Sequence, residues 1–366
     1  MSALEKISTH VHGLDELLQG GIPRGRATLV TGRSGTGKTV LGLQLASNLA
    51  SCDAPVIVVA VEERPEDLCD SGDALGLSFS QLLDAGRLSF ADATRLDGNT
   101  VVSGDYDLDG LKYRLGALAQ KTGARSVILD SATALFSPRP PQDELRSHFF
   151  QLVAALRSLD LTSIIIAEAQ EDYGQLTTLG VEDYVCDLTV MLRNIVDGSR
   201  RRRTVEINKY RRSPHYKGEY PCTITPRGIA VFPVDTKEHV DTSPIERFSS
   251  GVAGLDEMTH GGWLRNSIII VRGPTGSGKT MLAGLYAKAG ASRGERVVYY
   301  GFEEPASILL RNYREIGMDL QPAIDAGLLR VICRYAEAMS LEDLLVDLRV
   351  ELEELNPSLI VLDSIS

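Results

Sequence analysis

Two segments of the chain combine glycines, a lysine and a threonine at the spacing that cradles nucleotide phosphates. The first runs from Gly32 to Thr39 and the second from Gly273 to Thr280, and both read G-x-x-x-x-G-K-T. In such a loop the glycines let backbone amides approach phosphate oxygens, the lysine neutralises the β- and γ-phosphates, and the threonine hydroxyl coordinates Mg²⁺. The sequence therefore predicts two nucleotide sites.

The residues expected to contact nucleotide lie consecutively in each loop. They are Ser34, Gly35, Thr36, Gly37, Lys38, Thr39 and Val40 in the first copy, and Thr275, Gly276, Ser277, Gly278, Lys279, Thr280 and Met281 in the second. Thr39 and Thr280 are also predicted metal ligands.

Other short motifs repeat at the same spacing as the loop lysines, which lie 241 residues apart. These pairs are His12–Glu16 with Ala253–Glu257, Gly20-Gly21 with Gly261-Gly262, Glu62-Glu63 with Glu303-Glu304, and Asp84–Gly86 with Asp325–Gly327. A tandem duplication of one nucleotide-hydrolysing domain explains them. We expect a first domain at 1–235, a polar linker at 236–248 and a second domain at 249–366.

Acidic residues follow apolar strands downstream of each loop. Asp130 and Asp363 each end a short apolar run, as expected for a Walker B aspartate that orders Mg²⁺ through water. They are 233 residues apart, so the first copy carries eight extra residues, which we place near Gly98–Asp107.

The glutamate pairs Glu62-Glu63 and Glu303-Glu304 lie 24 residues after the loop lysines. A carboxylate at this point can polarise the water that attacks the γ-phosphate, and Glu303 is also a predicted metal ligand. The alternative is that the glutamates cap the helices that start near Pro65 and Pro305.

Two cations, Lys209 and Arg211, lie two residues apart and hence on one face of a strand. From spacing alone they are either surface cations or groups that reach the γ-phosphate on a neighbouring subunit. The run Arg200–Arg203 is a solvated turn or strand edge, or else a contact with nucleic acid or a partner.

Apolar patterning around these residues predicts an α/β fold with a mainly parallel sheet and helical crossovers. The predicted elements of the first copy are strand 27–31, helix Val40–Ala50 and strands Val56–Val61, Val127–Leu129 and Ile164–Ala167. After them, Thr189–Ile195, Thr204–Tyr210, Tyr220–Thr225 and Ile229–Pro233 predict an antiparallel extension at the sheet edge.

The second copy repeats the start of this pattern. Its predicted strands are Ser267–Val271, which carries the loop, Arg296–Phe302 and Leu359–Leu362, and its predicted core helix bears Leu341, Leu344, Leu345, Leu348, Leu352 and Leu355. The chain ends three residues after Asp363, whereas the first copy continues for about a hundred residues after Asp130. We therefore expect the second copy to be incomplete and poorly stable alone.

Composition limits the class of protein. Hydrophobic residues make up 43% and charged residues 24% of the 366 positions, as in ordinary globular chains. No secretory signal and no apolar run of roughly 20 residues is seen, and the five cysteines form no C-x-x-C pair, which predicts a cytoplasmic protein without membrane contact. A net charge of −11 argues against a dedicated, high-affinity nucleic-acid binder.

These motifs together resemble the KaiC proteins, RecA-like ATPases of the bacterial circadian clock. The specific parts are the duplication, Arg200–Thr204 and Lys217–Pro221. The resemblance implies tandem RecA-like P-loop domains and a homohexamer with ATP and Mg²⁺ between protomers. It implies slow ATP hydrolysis in the first ring, and serine/threonine autophosphorylation and dephosphorylation in the second.

The same resemblance implies roles for further residues. Lys209, Arg211, Ser213 and His215 are implied to reach nucleotide on the adjacent protomer, and Thr225 to lie near nucleotide. KaiB-type and KaiA-type clock proteins or a histidine-kinase output are the implied partners.

Two departures from the family pattern stand out. Family members usually read Arg-Gly-Thr/Ser-Ser-His where this chain has Arg211–His215, so Pro214 removes a backbone N–H donor there. Ile316 occupies a position where a family aromatic residue can pack near the base. The phosphoacceptor pair of the family would follow the second Walker B, beyond Ser366.

Two other functions compete with a clock-type ATPase. A RecA-like recombinase or helicase is favoured by Arg200–Arg203 and disfavoured by the acidic balance. A non-clock signalling scaffold would bind ATP only to hold a ring together.

Overall fold

The computed structural model describes residues 4–93, 108–136, 141–174, 177, 180, 182–197, 200–233, 246–335 and 340–364. The chain divides into two compact units, Met1–Asp235 and Thr236–Ser366. The insertion predicted near Gly98–Asp107 lies outside the described residues. Most of the predicted linker, 236–245, also lies outside them.

The first unit alternates strands and helices before turning to strands alone. Its strands are β1 (Lys6–Ile7), β2 (Ile22–Pro23), β3 (Ala27–Gly32), β4 (Val56–Ala60), β5 (Leu88–Asp92), β6 (Ser126–Asp130), β7 (Thr162–Glu168), β8 (Leu188–Asp197), β9 (Arg200–Tyr210), β10 (Glu219–Thr225) and β11 (Gly228–Val231). Its helices are α1 (Leu14–Leu17), α2 (Lys38–Cys52), α3 (Pro65–Ala74), α4 (Phe79–Asp84), α5 (Leu108–Thr122), α6 (Ala132–Leu135), α7 (Gln142–Ser158) and α8 (Glu182–Val185).

One nine-stranded sheet organises the first unit, with strand order β11-β10-β9-β8-β3-β7-β6-β4-β5. Strands β8, β3, β7, β6, β4 and β5 are parallel, and β9, β10 and β11 continue the sheet in antiparallel pairs. This confirms the predicted parallel sheet with an antiparallel extension. Parallel strands run in one direction, so their carboxyl ends lie at the same end of the sheet. The residues that follow β3, β4, β6 and β7 therefore lie close together there.

The strands are apolar throughout because helices cover both faces of the sheet. Alternate residues such as Val58 and Ile128 pack with α2, while Ile57 and Leu129 pack with α5 and α7. The two clusters are separate, which is the layering expected when side chains alternate between the faces of a strand. The carboxyl end of β3, at Gly32, is thereby held between helices on both faces of the sheet.

The second unit repeats part of this architecture. Its strands are β12 (Arg247–Phe248), β13 (Trp263–Leu264), β14 (Val297–Gly301), β15 (Leu329–Cys333) and β16 (Leu359–Asp363), and its helices are α9 (Ala253–Met258), α10 (Lys279–Ser292), α11 (Ala306–Glu315), α12 (Gln321–Asp325) and α13 (Leu341–Leu355). Its main sheet has three parallel strands in the order β15-β14-β16, which matches β5-β4-β6 of the first unit.

The prediction that Ser267–Val271 forms the loop-bearing strand of the second copy is wrong for this chain. The segment has no strand pairing, and Ile268 and Ile270 are 93% and 77% exposed. Its counterpart β3 is paired on one side with β7 and on the other with β8. The segment therefore has the composition of a strand but no neighbour among the described residues to pair with.

The prediction that the leucine stripe of α13 is core also fails in part. Leu341, Leu345 and Leu352 are 67%, 40% and 43% exposed, and no residue of the helix is fully buried. Leu344 and Leu348 do pack against the buried side chains of β14. In the first unit the counterpart helix, α5, is covered by α7, and the outer leucines of α13 have no such cover among the described residues.

Candidate nucleotide site

The loop between β3 and α2 has the backbone geometry that a phosphate-binding loop needs. Gly35 and Gly37 have φ values of 78° and 104°, in the left-handed region that favours glycine. A methyl group built on Gly35 would meet nothing within 4 Å, so the loop faces open space. Helix α2 begins directly at Lys38, so its unpaired amides point at the same space.

The side chain of Lys38 folds back over the loop. Its Nζ donates to the carbonyl of Arg33 at 2.9 Å. Burial lowers the pKa of Lys38, while the carboxylates of Glu168, Asp130 and Glu62 act in the opposite direction. The lysine is thus held beside three acidic groups in a position to neutralise a bound phosphate.

Asp130 lies at the end of β6, close to the loop. Burial raises the pKa of this carboxyl to about 6, helped by the negative charges of Glu62 and Glu63 and opposed by a hydrogen bond from Thr39 and by the charge of Lys38. The predicted Walker A threonine and Walker B aspartate are therefore in direct contact. A hydroxyl and a carboxylate side by side are donors that Mg²⁺ accepts when phosphates complete its coordination.

Glu62 and Glu63 follow β4 at the same edge of the sheet. Glu62 Oε1 accepts a hydrogen bond from Ser131 Oγ at 2.5 Å, while Glu63 is exposed. Helix α3 has Arg64 at its N-cap and no side-chain cap hydrogen bond. The helix-capping alternative for this glutamate pair is therefore not seen in the structure.

Sequence reasoning missed one acidic residue of this site. Glu168 ends β7, pairs in register with Gly32, and is the first among the charges that favour protonated Lys38. A single glutamate after an apolar strand has no motif around it. The signal that was available is the rule that polar residues at the carboxyl ends of parallel strands converge.

Lys209 and Arg211 lie elsewhere, on and just after β9. Lys209 pairs with Thr189 near the start of β8, and the Arg211 guanidinium donates to the carbonyl of Tyr184 at 2.8 Å. They therefore lie toward the amino-terminal ends of β3 and β8, away from the end of β3 that carries the loop. The structure does not bring them to the nucleotide site of their own unit.

The other residues that were predicted to contact nucleotide lie in two different places. Ser213 donates to the carbonyl of Pro214 at 2.9 Å, and the buried Nδ1 of His215 has no hydrogen-bond partner among the described residues. Both follow Arg211. Thr225 is the last residue of β10 and donates to the Gly228 carbonyl at 2.9 Å; the preceding residue, Ile224, lies against Gly37 of the loop.

The arginine run Arg200–Arg203 is part of β9 rather than a turn. Arg203 pairs with Asn194 on β8 and with Cys222 on β10, whereas Arg201 and Arg202 are exposed. The run is a solvated part of the sheet.

The second unit repeats the loop, and its glycines likewise have positive φ values. Gly276 and Gly278 have φ values of 78° and 88°, and Lys279 Nζ donates to the carbonyls of Gly273 and Pro274 at 3.0 and 3.1 Å. Glu303 Oε1 accepts from Ser364 at 2.7 Å, which matches the contact of Glu62 with Ser131. Glu304 accepts from Asn312 at 3.1 Å. Thr280 and Met281 open α10 and are exposed.

A buried tyrosine pair distinguishes the second unit from the first. Tyr299 donates to Asp363 Oδ2 at 2.7 Å, Tyr313 donates to the Thr280 carbonyl at 2.7 Å, and the two hydroxyl oxygens lie 2.8 Å apart. Burial raises the pKa of both hydroxyls, so both stay protonated donors. The pair ties the Walker B aspartate to the start of α10. The first unit has Val58 and Gly72 at these positions.

Replacing Tyr299 by phenylalanine is expected to destabilise the second unit by about 1–3 kcal/mol, because a buried hydrogen bond to a charged group is lost. Trp263, the single tryptophan of the chain, lies in this unit, so its fluorescence in a urea titration reports on it alone. Tyr335→Phe, at a tyrosine that is 60% exposed, is the control and should leave the midpoint unchanged. An unchanged midpoint for Tyr299→Phe would contradict the role given to this hydroxyl.

Comparison with known proteins agrees with this geometry. The family model described as "ATPase: KaiC" matches residues 7–236 and 248–366. The circadian clock oscillator protein KaiC of Picosynechococcus is 41% identical over 367 residues, covering all of this chain and 71% of the relative. KaiC 1 of Synechocystis is 41% identical over 364 residues, covering 99% and 70%, and KaiC of Synechococcus elongatus is 39% identical over 365 residues, covering 100% and 70%.

Among the described residues, no helix is long and apolar enough to cross a bilayer. The chain has two RecA-like units in tandem, with a phosphate-binding loop, a Walker B aspartate and a glutamate pair in each. Together with the family match over both units, these features show that the chain belongs to the KaiC ATPase family.

Proposed function

We propose that the first unit binds ATP with Mg²⁺ and hydrolyses it. The observation that carries this is the convergence of Lys38, Thr39, Asp130, Glu62 and Glu168 at one edge of a rigid sheet. Each is the group type that phosphoryl transfer uses: a cation for phosphate, oxygen ligands for the metal, and a carboxylate for water.

In this proposal Thr39 would hold Mg²⁺ directly and Asp130 would hold it through water, and the ion would neutralise charge on the phosphate oxygens. Lys38 moves from the Arg33 carbonyl to the β- and γ-phosphates. One carboxylate of the Glu62-Glu63 pair accepts the proton of the attacking water. Glu62 is hydrogen-bonded to Ser131, and both glutamates are exposed, so either carboxylate can meet solvent water.

The site would be completed by a second protomer. Lys209, Arg211, Ser213 and His215 lie away from their own loop, so they can act on nucleotide only in another subunit. Repeated head-to-tail contacts close into a ring, and we propose the homohexamer with ATP between protomers that the family resemblance implies.

The wider role we propose is that of a circadian clock or related signalling protein. The relatives' printed names, circadian clock oscillator protein KaiC, support it. We also propose the serine/threonine autokinase and autophosphatase activity that the family resemblance implies. KaiB-type and KaiA-type proteins or a histidine kinase are the proposed partners, in the cytoplasm.

ATP turnover by loop-lysine variants tests the proposed enzyme. Lys38→Ala is expected to lower turnover at least about 100-fold, because electrostatic stabilisation of the transferred phosphoryl group is lost. Lys279→Ala is the matched variant in the second unit and should leave most turnover, since the loop of that unit lacks its strand. A Lys38→Ala protein that turns over ATP at the wild-type rate would contradict the proposal.

A further inference from the structure

The two units connect their Walker A and Walker B residues in different ways. In the first unit the Thr39 hydroxyl donates directly to the Asp130 carboxylate. In the second unit the carboxylate of Asp363 accepts from Tyr299 at 2.7 Å, and Tyr313 continues the connection to the start of α10. Two tyrosines thus stand between the helix that follows the loop and the aspartate, where the first unit has a direct contact.

The sheet also joins the loop to the aspartate in the first unit. Strand β6, which ends at Asp130, pairs with β4 on one side and with β7 on the other, and β7 pairs with the loop-bearing strand β3. Among the described residues of the second unit, β16 pairs with β14 alone, and Ser267–Val271 pairs with no strand. In that part of the chain the tyrosines, and not a ladder of backbone hydrogen bonds, connect the loop with Asp363.

Both tyrosines are suited to this connection because they are buried, neutral donors. Tyr299 is fully buried and Tyr313 is 2% exposed, and burial raises the pKa of both hydroxyls. The Tyr313 hydroxyl donates to the Thr280 carbonyl and also lies in hydrogen-bond contact with the backbone N–H of Gly284. It therefore bridges two backbone groups in the first turns of α10, while Tyr299 reaches the charged end of β16.

The room for Tyr313 comes from an exchange of large and small residues between two helices. A methyl group built on Gly284 of α10 would lie 2.5 Å from the Tyr313 ring, so only glycine leaves the space. The counterparts 241 positions earlier are the buried Leu43 of α2 and Gly72 of α3. The first unit thus has the large side chain on the helix that follows the loop, and the second unit has it on α11. Only the second arrangement brings a hydroxyl to this helix, since leucine has none.

The tyrosines connect the residues expected to hold Mg²⁺ in the second unit, Thr280 and Asp363. A hydroxyl oxygen and a carboxylate oxygen fit this ion when phosphates and water complete its coordination. Hydrogen bonds made to a ligand set the direction in which it points, and loss of such a partner typically weakens metal binding by about 10–100-fold. Apolar packing of α10 on β16 cannot replace this effect, because it does not orient a polar atom.

We propose that Tyr299 and Tyr313 are positioning residues of the second nucleotide site, and that as one hydrogen-bonded chain they orient Asp363 for Mg²⁺ bound together with nucleotide. The inference rests on the nucleotide site predicted for the second unit and is separate from the hydrolysis proposed for the first. A purely structural role for the two hydroxyls predicts a different result. It would weaken nucleotide binding by the same factor with and without the metal, whereas positioning affects the metal-dependent part alone.

Nucleotide affinity with and without Mg²⁺ separates these two roles. The probe is a fluorescent, non-hydrolysable ATP analogue, titrated into the full chain once with Mg²⁺ and once with a chelator. The ratio of the two dissociation constants is the metal dependence of binding. Energy transfer from Trp263, the single tryptophan, selects analogue bound to the second unit, and Lys38→Ala in every sample weakens binding to the first loop.

The variants are Tyr299→Phe, Tyr313→Phe and the double replacement. The matched control is Tyr300→Phe, at the next residue of β14 and therefore on the opposite face of the strand. Tyr300 is also fully buried and donates to a carboxylate, Asp347 of α13, at 2.8 Å. This control loses a hydrogen bond of the same kind, so it reproduces the loss of stability without touching the site. Trp263 fluorescence shows that each variant is folded during the titration.

Each single variant is expected to lower the metal dependence by about 10-fold, with unchanged affinity in the chelator. The double variant should lose no more than the larger single loss, because a chain that is broken at one link is already broken. Tyr300→Phe should keep the wild-type ratio.

Four results would overturn the proposal. Equal losses with and without Mg²⁺ show that the hydroxyls only stabilise the core. Losses that add in the double variant show that the two tyrosines do not act as one chain. A lowered ratio in Tyr300→Phe shows a general effect of destabilisation. A wild-type second unit that binds no analogue removes the predicted site, while ATP turnover by the first unit would still stand.

Discussion

Replacing Asp130 by asparagine is expected to make the metal-free protein more stable and to abolish its ATP turnover. The wild-type carboxylate is buried beside Glu62 and Glu63, and its pKa is raised to about 6. Holding it ionised therefore costs up to about 3 kcal/mol at pH 8, which an uncharged amide avoids. Turnover should fall at least about 100-fold, because the amide no longer supplies the negative charge that holds Mg²⁺.

The stability gain should depend on pH in one direction. A carboxyl whose pKa is higher in the folded state than in the unfolded state makes the folded protein bind more protons between those values. Wild-type stability therefore falls as pH rises from about 4 through about 6, and the full cost is present above that range. The asparagine variant lacks this loss, so its advantage should be absent at pH 4 and complete at pH 8.

Thermal unfolding in a metal chelator at these two pH values measures the effect. Asp84→Asn, at an exposed aspartate of α4, is the control and should show no pH-dependent difference from the wild type. An Asp130→Asn protein with the same advantage at both pH values, or none at pH 8, would contradict the buried-charge account of this site.

Replacing Arg211 by alanine is expected to lower ATP turnover by on the order of 1,000-fold while the ring keeps its mass, as loss of an arginine finger does. The guanidinium lies far from its own loop and donates to the Tyr184 carbonyl, so it has no local role in holding Lys38 or Asp130 in place. Steady-state turnover with light scattering on the same sample measures both quantities.

The control for this prediction is Arg201→Ala, on an exposed part of the same strand, which should keep wild-type turnover. Lys209→Ala should behave like Arg211→Ala. Wild-type turnover by an assembled Arg211→Ala protein would show that the site is complete within one chain.

Local signals explain why much of the fold was predictable from sequence. The strand, loop and helix around Lys38 and the aspartates that end β6 and β16 carry motifs of a few consecutive residues. The antiparallel extension followed from alternating segments with turns. Each of these features is encoded within about ten consecutive residues, so it can be recognised without knowing which distant residues it contacts.

The errors come from contacts between distant parts of the chain. Ser267–Val271 has the composition of a strand, but a strand forms only beside another, and the partners that β3 finds in β7 and β8 come more than 125 residues later in the first copy. The leucines of α13 were expected to be core for the same reason. Pattern predicts which face is apolar and says nothing of what covers it.

Site residues without a motif were missed on the same grounds. Glu168 joins the site through its register with Gly32, which only the sheet order reveals. A cavity of about 600 Å³ that five arginines line likewise combines the start of β3, α7, α8 and the turn after β9. No window of sequence contains these four segments together.

The central claim is that ATP is hydrolysed at a site shared between two protomers, and mixing two inactive variants tests it most directly. Lys38→Ala removes the loop lysine, and Arg211→Ala removes the group supplied in trans. In mixed rings, an Arg211→Ala loop that faces a Lys38→Ala neighbour has every required residue. Random equimolar mixing should restore about a quarter of wild-type turnover, since each shared site needs one protomer of each kind in order. Mixed rings that stay inactive would contradict the account.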